Sequence, residues 1–254
     1  MANSYLVINH FSQSIAFGKK SIGIFRKLQM ANYEAKSLSV VGDAYCRTGD
    51  FNNLKKIIDT ATPIIKEFDD IFIEGKLNYF NAHYYLNQID FSTAISYIDE
   101  SIELYNSAEQ IRFETQTLIE KLCILMESGS DNIDPIITKI EQLIKKLKGT
   151  YSNDLFTAIK LYIDSNKYNE NSDKLNNLFK TIEEQRSTIP VIFPLISWYL
   201  ARTYKAIGQI ENAQKCHVKA KQILDLHAVN IDKKENKKNY YNLYFHKRIG
   251  EELG

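Results

Sequence analysis

The chain has 254 residues, 44% hydrophobic and 25% charged, a balance that fits a soluble globular protein and excludes a disordered or membrane-embedded one. Ten glycines and four prolines fall below the average usage of about 7% and 5%, so a turn-rich β architecture is excluded and helices with short connections are expected. Lysine plus arginine number 32 against 31 acidic residues, which leaves no global field to draw in nucleic acid or an anionic membrane.

From the N-terminus, MANSYLVINHF lacks the basic stretch and apolar core of an export signal. Tyr5, Tyr45 and Tyr85 then recur at intervals of 40 residues, as do Phe11, Phe51 and Phe91 and the small residues Ala2, Gly42 and Ala82. Such a period is the mark of a repeat architecture. Leu122, Leu125 and Gly129 carry the register one step further, before two extra residues intervene ahead of Pro135. Later copies run through Leu155, Ile159, Tyr162 and Tyr168, then through Leu200, Ala201, Tyr204, Gly208, Ile210, Ala213 and Ala220.

Each copy places apolar or small residues at spacings of three and four, breaks briefly, and repeats the pattern, which predicts two amphipathic helices joined by a tight turn. Turns are expected at TGDF (Thr48 to Phe51), QIDF (Gln88 to Phe91) and IGQI (Ile207 to Ile210). Asp134 before Pro135, and Thr188 just ahead of Pro190, read as helix starts. Gly42, Ala82 and Ala201 mark places where one helix of a pair approaches the other closely. The longest apolar run, around Val191 to Ala201, is interrupted by Pro194 and Ser197 and falls short of the roughly 18 residues that span a bilayer. Cys46, Cys123 and Cys216 cannot all pair and form no CxxC, so a reduced, cytoplasmic setting is expected.

Two stretches carry a resemblance, SVVGDAYCRTGDFNNLKKIIDTA from Ser39 to Ala61 and WYLARTYKAIGQIENAQKCHVKA from Trp198 to Ala220. Their pattern of small-x-x-aromatic, Gly-x-aromatic and Ala-x-x-x-apolar-x-x-small resembles the tetratricopeptide repeat. The period of 40 exceeds that family's usual 34 or so and is similar to the long-helix arrays of kinesin light chains, cell-polarity adaptors and the regulatory arrays of bacterial signalling ATPases and activators. Asn78 and Asn81 stand where apolar residues are usual, and Asn166 and Asn171 replace the turn glycine and the alanine of the fourth copy. The resemblance implies an all-α, right-handed superhelical solenoid of about five antiparallel helix pairs. Residues 1–232 form the array, and residues 233–254 form a C-terminal capping helix, about Asn236 to Glu252, whose Tyr and Phe cover the last repeat. Ala2, Tyr5, Asn9 and Phe11 match the second half of a first helix. The array is therefore expected to begin partway through a repeat, as a fragment or a shortened array, with an N-terminal edge open to self-association.

In such solenoids the first helix of each pair lines the concave face, the surface generally used for binding. Counting from the small-residue column places Lys36, Lys76, Tyr79, His83, Phe156, Lys160, Trp198, Arg202 and Lys205 in that groove, with Ser39, Asp43, Cys46 and Cys123 among their neighbours. Lys36, Lys76, Lys160, Arg202 and Lys205 face a single anion, Asp43. The groove is therefore expected to take an acidic, apolar-containing peptide or protein segment, with Tyr79, Phe156 and Trp198 as anchors. Ser39 and Asp43 occupy places where a chaperone-tail clamp needs lysine and asparagine, so that ligand is disfavoured.

Asp43, His83 and Cys123 share one helix position in successive copies, but packed helices lie roughly 8 to 10 Å apart, too far for a working dyad. Cys216 and His217 are adjacent on a second helix, where neighbours diverge, and His217 is expected to be partly buried. Lys233 to Arg248 mixes Lys237, Lys238, Lys247 and Arg248 with Tyr240, Tyr241, Tyr244 and Phe245, a basic-aromatic pattern similar to single-strand nucleic-acid surfaces, although a capping helix explains it as well. The chain carries no phosphate loop, HExxH or paired metal-ligand spacing, so no enzyme, cofactor or metal is expected. The main expectation is a non-catalytic protein-interaction module, a scaffold with no membrane partner and with nucleic acid disfavoured. The alternative is a regulatory or sensor segment of a larger signalling ATPase, kinase or cyclase.

Overall fold

The structure, a computed structural model, describes residues 1–147, 151–165, 172–184, 192–232 and 234–252. Asn166, Tyr168, Asn171, Thr188 and Pro190 lie outside the described residues, so the turn of the fourth copy and the start of the last one are not part of this description. Among the described residues every regular element is a helix. In order they are α1 (Ala2–Val7), α2 (Phe11–Lys27), α3 (Ala31–Thr48), α4 (Phe51–Phe68), α5 (Ile71–Asn87), α6 (Phe91–Ser107) and α7 (Ile111–Glu127), followed by α8 (Asp134–Ile144), α9 (Tyr151–Ile163), α10 (Ser172–Glu184), α11 (Phe193–Ala206), α12 (Ile210–Val229), α13 (Lys234–Tyr241) and α14 (Tyr244–Glu251). Successive helices pack against their neighbours, as in helical repeat proteins. None of the described helices is long and apolar enough to cross a membrane. The chain divides into two compact units, Met1–Lys148 with Asn230–Tyr244, and Gly149–Val229 with Phe245–Gly254.

In the first unit the connections repeat every 20 residues, half the 40-residue period. Asn9, Gln29, Gly49, Asp69, Ile89, Glu109 and Gly129 all take the left-handed conformation, with φ between 51° and 74°. Six of these turns close alike, the following amide reaching back five residues to a carbonyl: His10 to Tyr5, Met30 to Phe25, Asp50 to Tyr45, Asp90 to Tyr85, Gln110 to Tyr105 and Ser130 to Leu125, at 2.8 to 3.1 Å. This closure satisfies carbonyls that a helix end leaves orphaned. The recurring tyrosines are thus the residues on which the helices close, and Phe11, Phe51 and Phe91 open the next helix. Asp50, Asp70 and Asp90 cap α4, α5 and α6, their carboxylates accepting from the amides of Asn53, Ile73 and Thr93 at 3.1 to 3.2 Å. Each such cap contributes about 1 kcal/mol.

Close approaches fall partly where the small-residue column predicts. A Cβ at Gly42 would come within 2.5 Å of the Phe80 ring on α5, so Gly42 admits the next odd-numbered helix rather than the partner helix α4. The close approach of α5 to α6 is at Gly75, whose Cβ would meet Tyr105 at 3.0 Å and whose carbonyl accepts from Ser101 Oγ at 2.8 Å.

In the second unit α11 packs against α9, α10 and α12, burying Trp198, Tyr199, Leu200, Tyr204, Cys216 and Ala220 to 1% exposure or less. The C-terminal segment is not one helix over 236–252 but two short ones, α13 and α14, parted at Asn242 and Leu243. Within the first unit, Asn239 of α13 abuts Gly49, and Tyr244 packs edge-on to Phe91 and hydrogen-bonds Glu127 at 3.2 Å. Within the second, Phe245 packs against Trp198. The expected covering of the last repeat thus falls to Phe245, whereas Tyr240 and Tyr244 pack in the first unit.

Candidate functional site

Helices α3, α5 and α7 of the first unit are joined by polar contacts between partly buried side chains. Lys76 of α5 pairs with Asp43 of α3, Nζ to Oδ2 2.6 Å, both side chains mostly buried. The ammonium also sits 5.8 Å from the ring centroids of Phe72 and Phe113. Tyr79 donates its hydroxyl to Glu120 Oε1 of α7 at 2.9 Å, and His83 places Nε2 2.8 Å from Glu120 Oε2. Since a carboxylate only accepts, this contact requires the proton on Nε2. The Tyr79 and His83 rings meet edge-on with centroids 4.5 Å apart. Spaced at i and i+4, they lie on one face of α5 and grip the carboxylate together. Burial, and then the Glu120 charge, push the Tyr79 hydroxyl well above the usual tyrosine range.

The second unit repeats the device. Trp198 and Arg202 of α11, again at i and i+4, hold Glu252, the residue directly after α14. Trp198 Nε1 donates to Oε2 at 2.9 Å, and Arg202 donates Nη2 to Oε1 at 2.6 Å and Nε to Oε2 at 3.3 Å. The guanidinium carbon lies 3.7 Å from the Trp198 ring centroid, a stacked cation–π arrangement. Burial alone would raise the Glu252 carboxyl, but the Arg202 hydrogen bond and charge, with Trp198 and Arg248, hold it below the usual glutamate range.

The predicted groove residues therefore separate into classes. Lys76, Tyr79 and His83 are brought together on α5; Trp198 and Arg202 are brought together on α11, Trp198 with no exposed surface. Phe156 is buried, with Lys160 Nζ 5.9 Å from its ring centroid. Lys36 and Lys205 are exposed, and Lys36 Nζ stands 5.7 Å from the Tyr33 ring centroid. Two anions that counting along the helices missed narrow the expected surplus of cations. Glu120 sits three residues before the counted position Cys123, and Glu252 arrives from beyond the end of α14. Neither carries a local signal, because each is recognised only by what it meets.

Asp43, His83 and Cys123 do not combine, since Asp43 is committed to Lys76 and His83 to Glu120. All three cysteines are buried thiols, and burial, then the charges of Asp43 and Glu120, push the Cys46 thiol well above its usual range. His217 is half-buried, and desolvation holds its imidazole below the usual range. Of the basic-aromatic segment, Tyr240 is buried and Tyr241 is 37% exposed, while Lys247 and Arg248 pair with Glu251. Among the described residues no cluster of metal-ligating side chains is present. No protein-family model matches the chain, and no curated protein matches it.

Proposed function

We propose that the chain is a tetratricopeptide-like interaction module, non-catalytic, that binds an acidic, apolar-containing segment of a partner protein along the faces of its odd-numbered helices. The observation that carries this reading is the recurrence of one receptor, an aromatic donor followed four residues later by a nitrogen donor, each pair holding a glutamate. On α11 that glutamate comes from beside α14, so Glu252 stands in for the side chain a ligand would present, and Phe245 against Trp198 stands in for its apolar neighbour. Charge-assisted, bidentate hydrogen bonds of this kind select a carboxylate strongly over a neutral group. The burial of Tyr240 and the packing of Tyr244 and Phe245 leave little aromatic surface for stacking nucleic-acid bases, which disfavours that partner.

A peptide selection on the intact chain, on Glu252→Ala and on Glu252→Ala with Arg202→Glu tests the reading. Acidic peptides with interspersed apolar residues are expected from the first, in larger yield from the second, and not from the third. Recovery of no peptide, or of the same peptides from all three, contradicts it.

A further inference from the structure

The receptor on α11 has a group at hand that its glutamate leaves unused. A carboxylate offers about four lone-pair sites on its two oxygens, and on Glu252 they are taken. Oε2 accepts from Trp198 Nε1 and Arg202 Nε, while Oε1 accepts from Arg202 Nη2 and faces Arg248 Nη2 at 3.5 Å. His217 stands within electrostatic reach of this cluster, on α12, the helix packed against α11. The charges of Glu252, Lys205 and Arg202 all act on its ring. Its Nε2 is buried, yet among the described residues it has no hydrogen-bond partner. A buried nitrogen left unpaired is costly, and the carboxylate has no further lone pair to offer it.

The groups that would remain if α14 gave way all belong to α11 and α12. Trp198 is fully buried and the Arg202 guanidinium carbon lies 3.7 Å from its ring centroid, so the indole N–H and the fork are held as a unit. Desolvation keeps the His217 imidazole neutral at pH 7, and a neutral ring with its proton on Nε2 donates there. Lys205, three residues after Arg202, is exposed and adds a second full charge. Glu211, the acid nearest His217 along α12, is exposed and paired with Lys215.

A phosphoryl group meets this set where a carboxylate does not. It has three acceptor oxygens and a charge of about −1.5 to −2 at neutral pH, so it can bridge the fork, the indole and the imidazole at once while Lys205 balances its second charge. In phosphoserine the phosphorus lies as many bonds from Cα as the carboxyl carbon does in glutamate, so the reach of Glu252 is kept, whereas phosphotyrosine would overrun it. Phe245 against Trp198 sets an apolar side chain about two helical turns before the anion, which calls for a peptide rather than a free phosphate.

We infer that the α11 receptor takes the phosphorylated serine or threonine of a partner segment, with Trp198 Nε1, the Arg202 fork and His217 Nε2 sharing its three terminal oxygens. This rests on reading Glu252 as the stand-in for a ligand side chain.

The test uses the full chain carrying Glu252→Ala, which removes the resident carboxylate, and three peptides that copy residues 245–252 with glutamate, serine or phosphoserine at the last position. Binding is read from Trp198 fluorescence. The phosphoserine peptide is expected to bind on the order of tenfold more tightly than the glutamate peptide, and the serine peptide more weakly than either. Adding His217→Leu is expected to bring the phosphoserine peptide down to the level of the glutamate peptide and to leave the latter unchanged. Adding His217→Gln instead, which supplies an N–H donor, is expected to recover part of the preference. Equal binding of the phosphoserine and glutamate peptides, or a preference that survives His217→Leu, overturns the inference and leaves the carboxylate receptor standing. Failure of both peptides to bind removes that receptor and this inference with it. Inorganic phosphate that competes on equal terms with the phosphoserine peptide overturns it as well, making the ligand a free anion.

Discussion

The faces of α5 and α11 hold carboxylates with the same chemistry but obtain them from different places. Glu120 belongs to α7, a 17-residue helix packed against α6 and α8, so the Tyr79–His83 receptor is satisfied by the stack itself. Glu252 follows α14, a helix of eight residues, well under the roughly 12 to 15 at which an isolated helix becomes even marginal in water. α14 therefore depends on what it packs against, chiefly through Ile249, Phe245 and Glu252. One receptor is thus a seam within the array, and the other is closed by an element that a competing ligand could replace.

The largest effect that separates the two regions is expected from Trp198→Ala. The indole is fully buried, and removing it costs about 3 to 5 kcal/mol, which hydrogen exchange should register as lost protection in α9, α11 and α12 while α3 to α6 keep theirs. Next comes Asp43→Ala, which strands the mostly buried Lys76 ammonium at a cost on the order of 1 to 3 kcal/mol. Pairing it with Lys76→Met should recover most of that loss in urea denaturation, since an apolar pair of similar size needs no desolvated charge. Asp70→Ala removes the α5 cap and is expected to cost about 1 kcal/mol without altering peptide binding to α11.

The smallest effect is the pH dependence carried by Glu252. Its folded carboxyl titrates below the usual range, so its contribution is fully present above the unfolded value near ~4.3 and is lost as pH falls through the lower folded one. Glu252→Gln should be less stable than the parent chain at neutral pH, and the gap should close in acid. A gap that persists at low pH would show that the glutamate acts by packing alone.

Much of the fold was legible because its signals are local. The 40-residue columns of Tyr5, Tyr45 and Tyr85 and of Phe11, Phe51 and Phe91 mark where helices close and reopen, and the TGDF, QIDF and IGQI turns fall between helices. The 20-residue half period was hidden, because Gln29, Asp69 and Glu109 take a left-handed conformation without the glycine that usually announces it. Ile89 does so despite a branched Cβ, for which that conformation is strained. The receptors were half visible: Tyr79, His83, Trp198 and Arg202 could be counted onto one face, but their glutamates could not. Glu120 lies at the edge of the counted stripe and Glu252 comes from 50 residues beyond Arg202. Only tertiary packing joins them, bringing Glu120 to Tyr79 and His83 and Glu252 to Trp198 and Arg202.

The central claim is that α11 carries a carboxylate receptor closed by α14, and the chain has one tryptophan, Trp198, at that receptor. The direct measurement is its fluorescence in the parent chain and in Glu252→Ala, each titrated with a glutamate-rich, apolar-containing peptide. The account predicts a red shift on Glu252→Ala that the peptide reverses, with a weaker response in the parent chain. An unshifted emission in the variant, or one indifferent to the peptide, would contradict it.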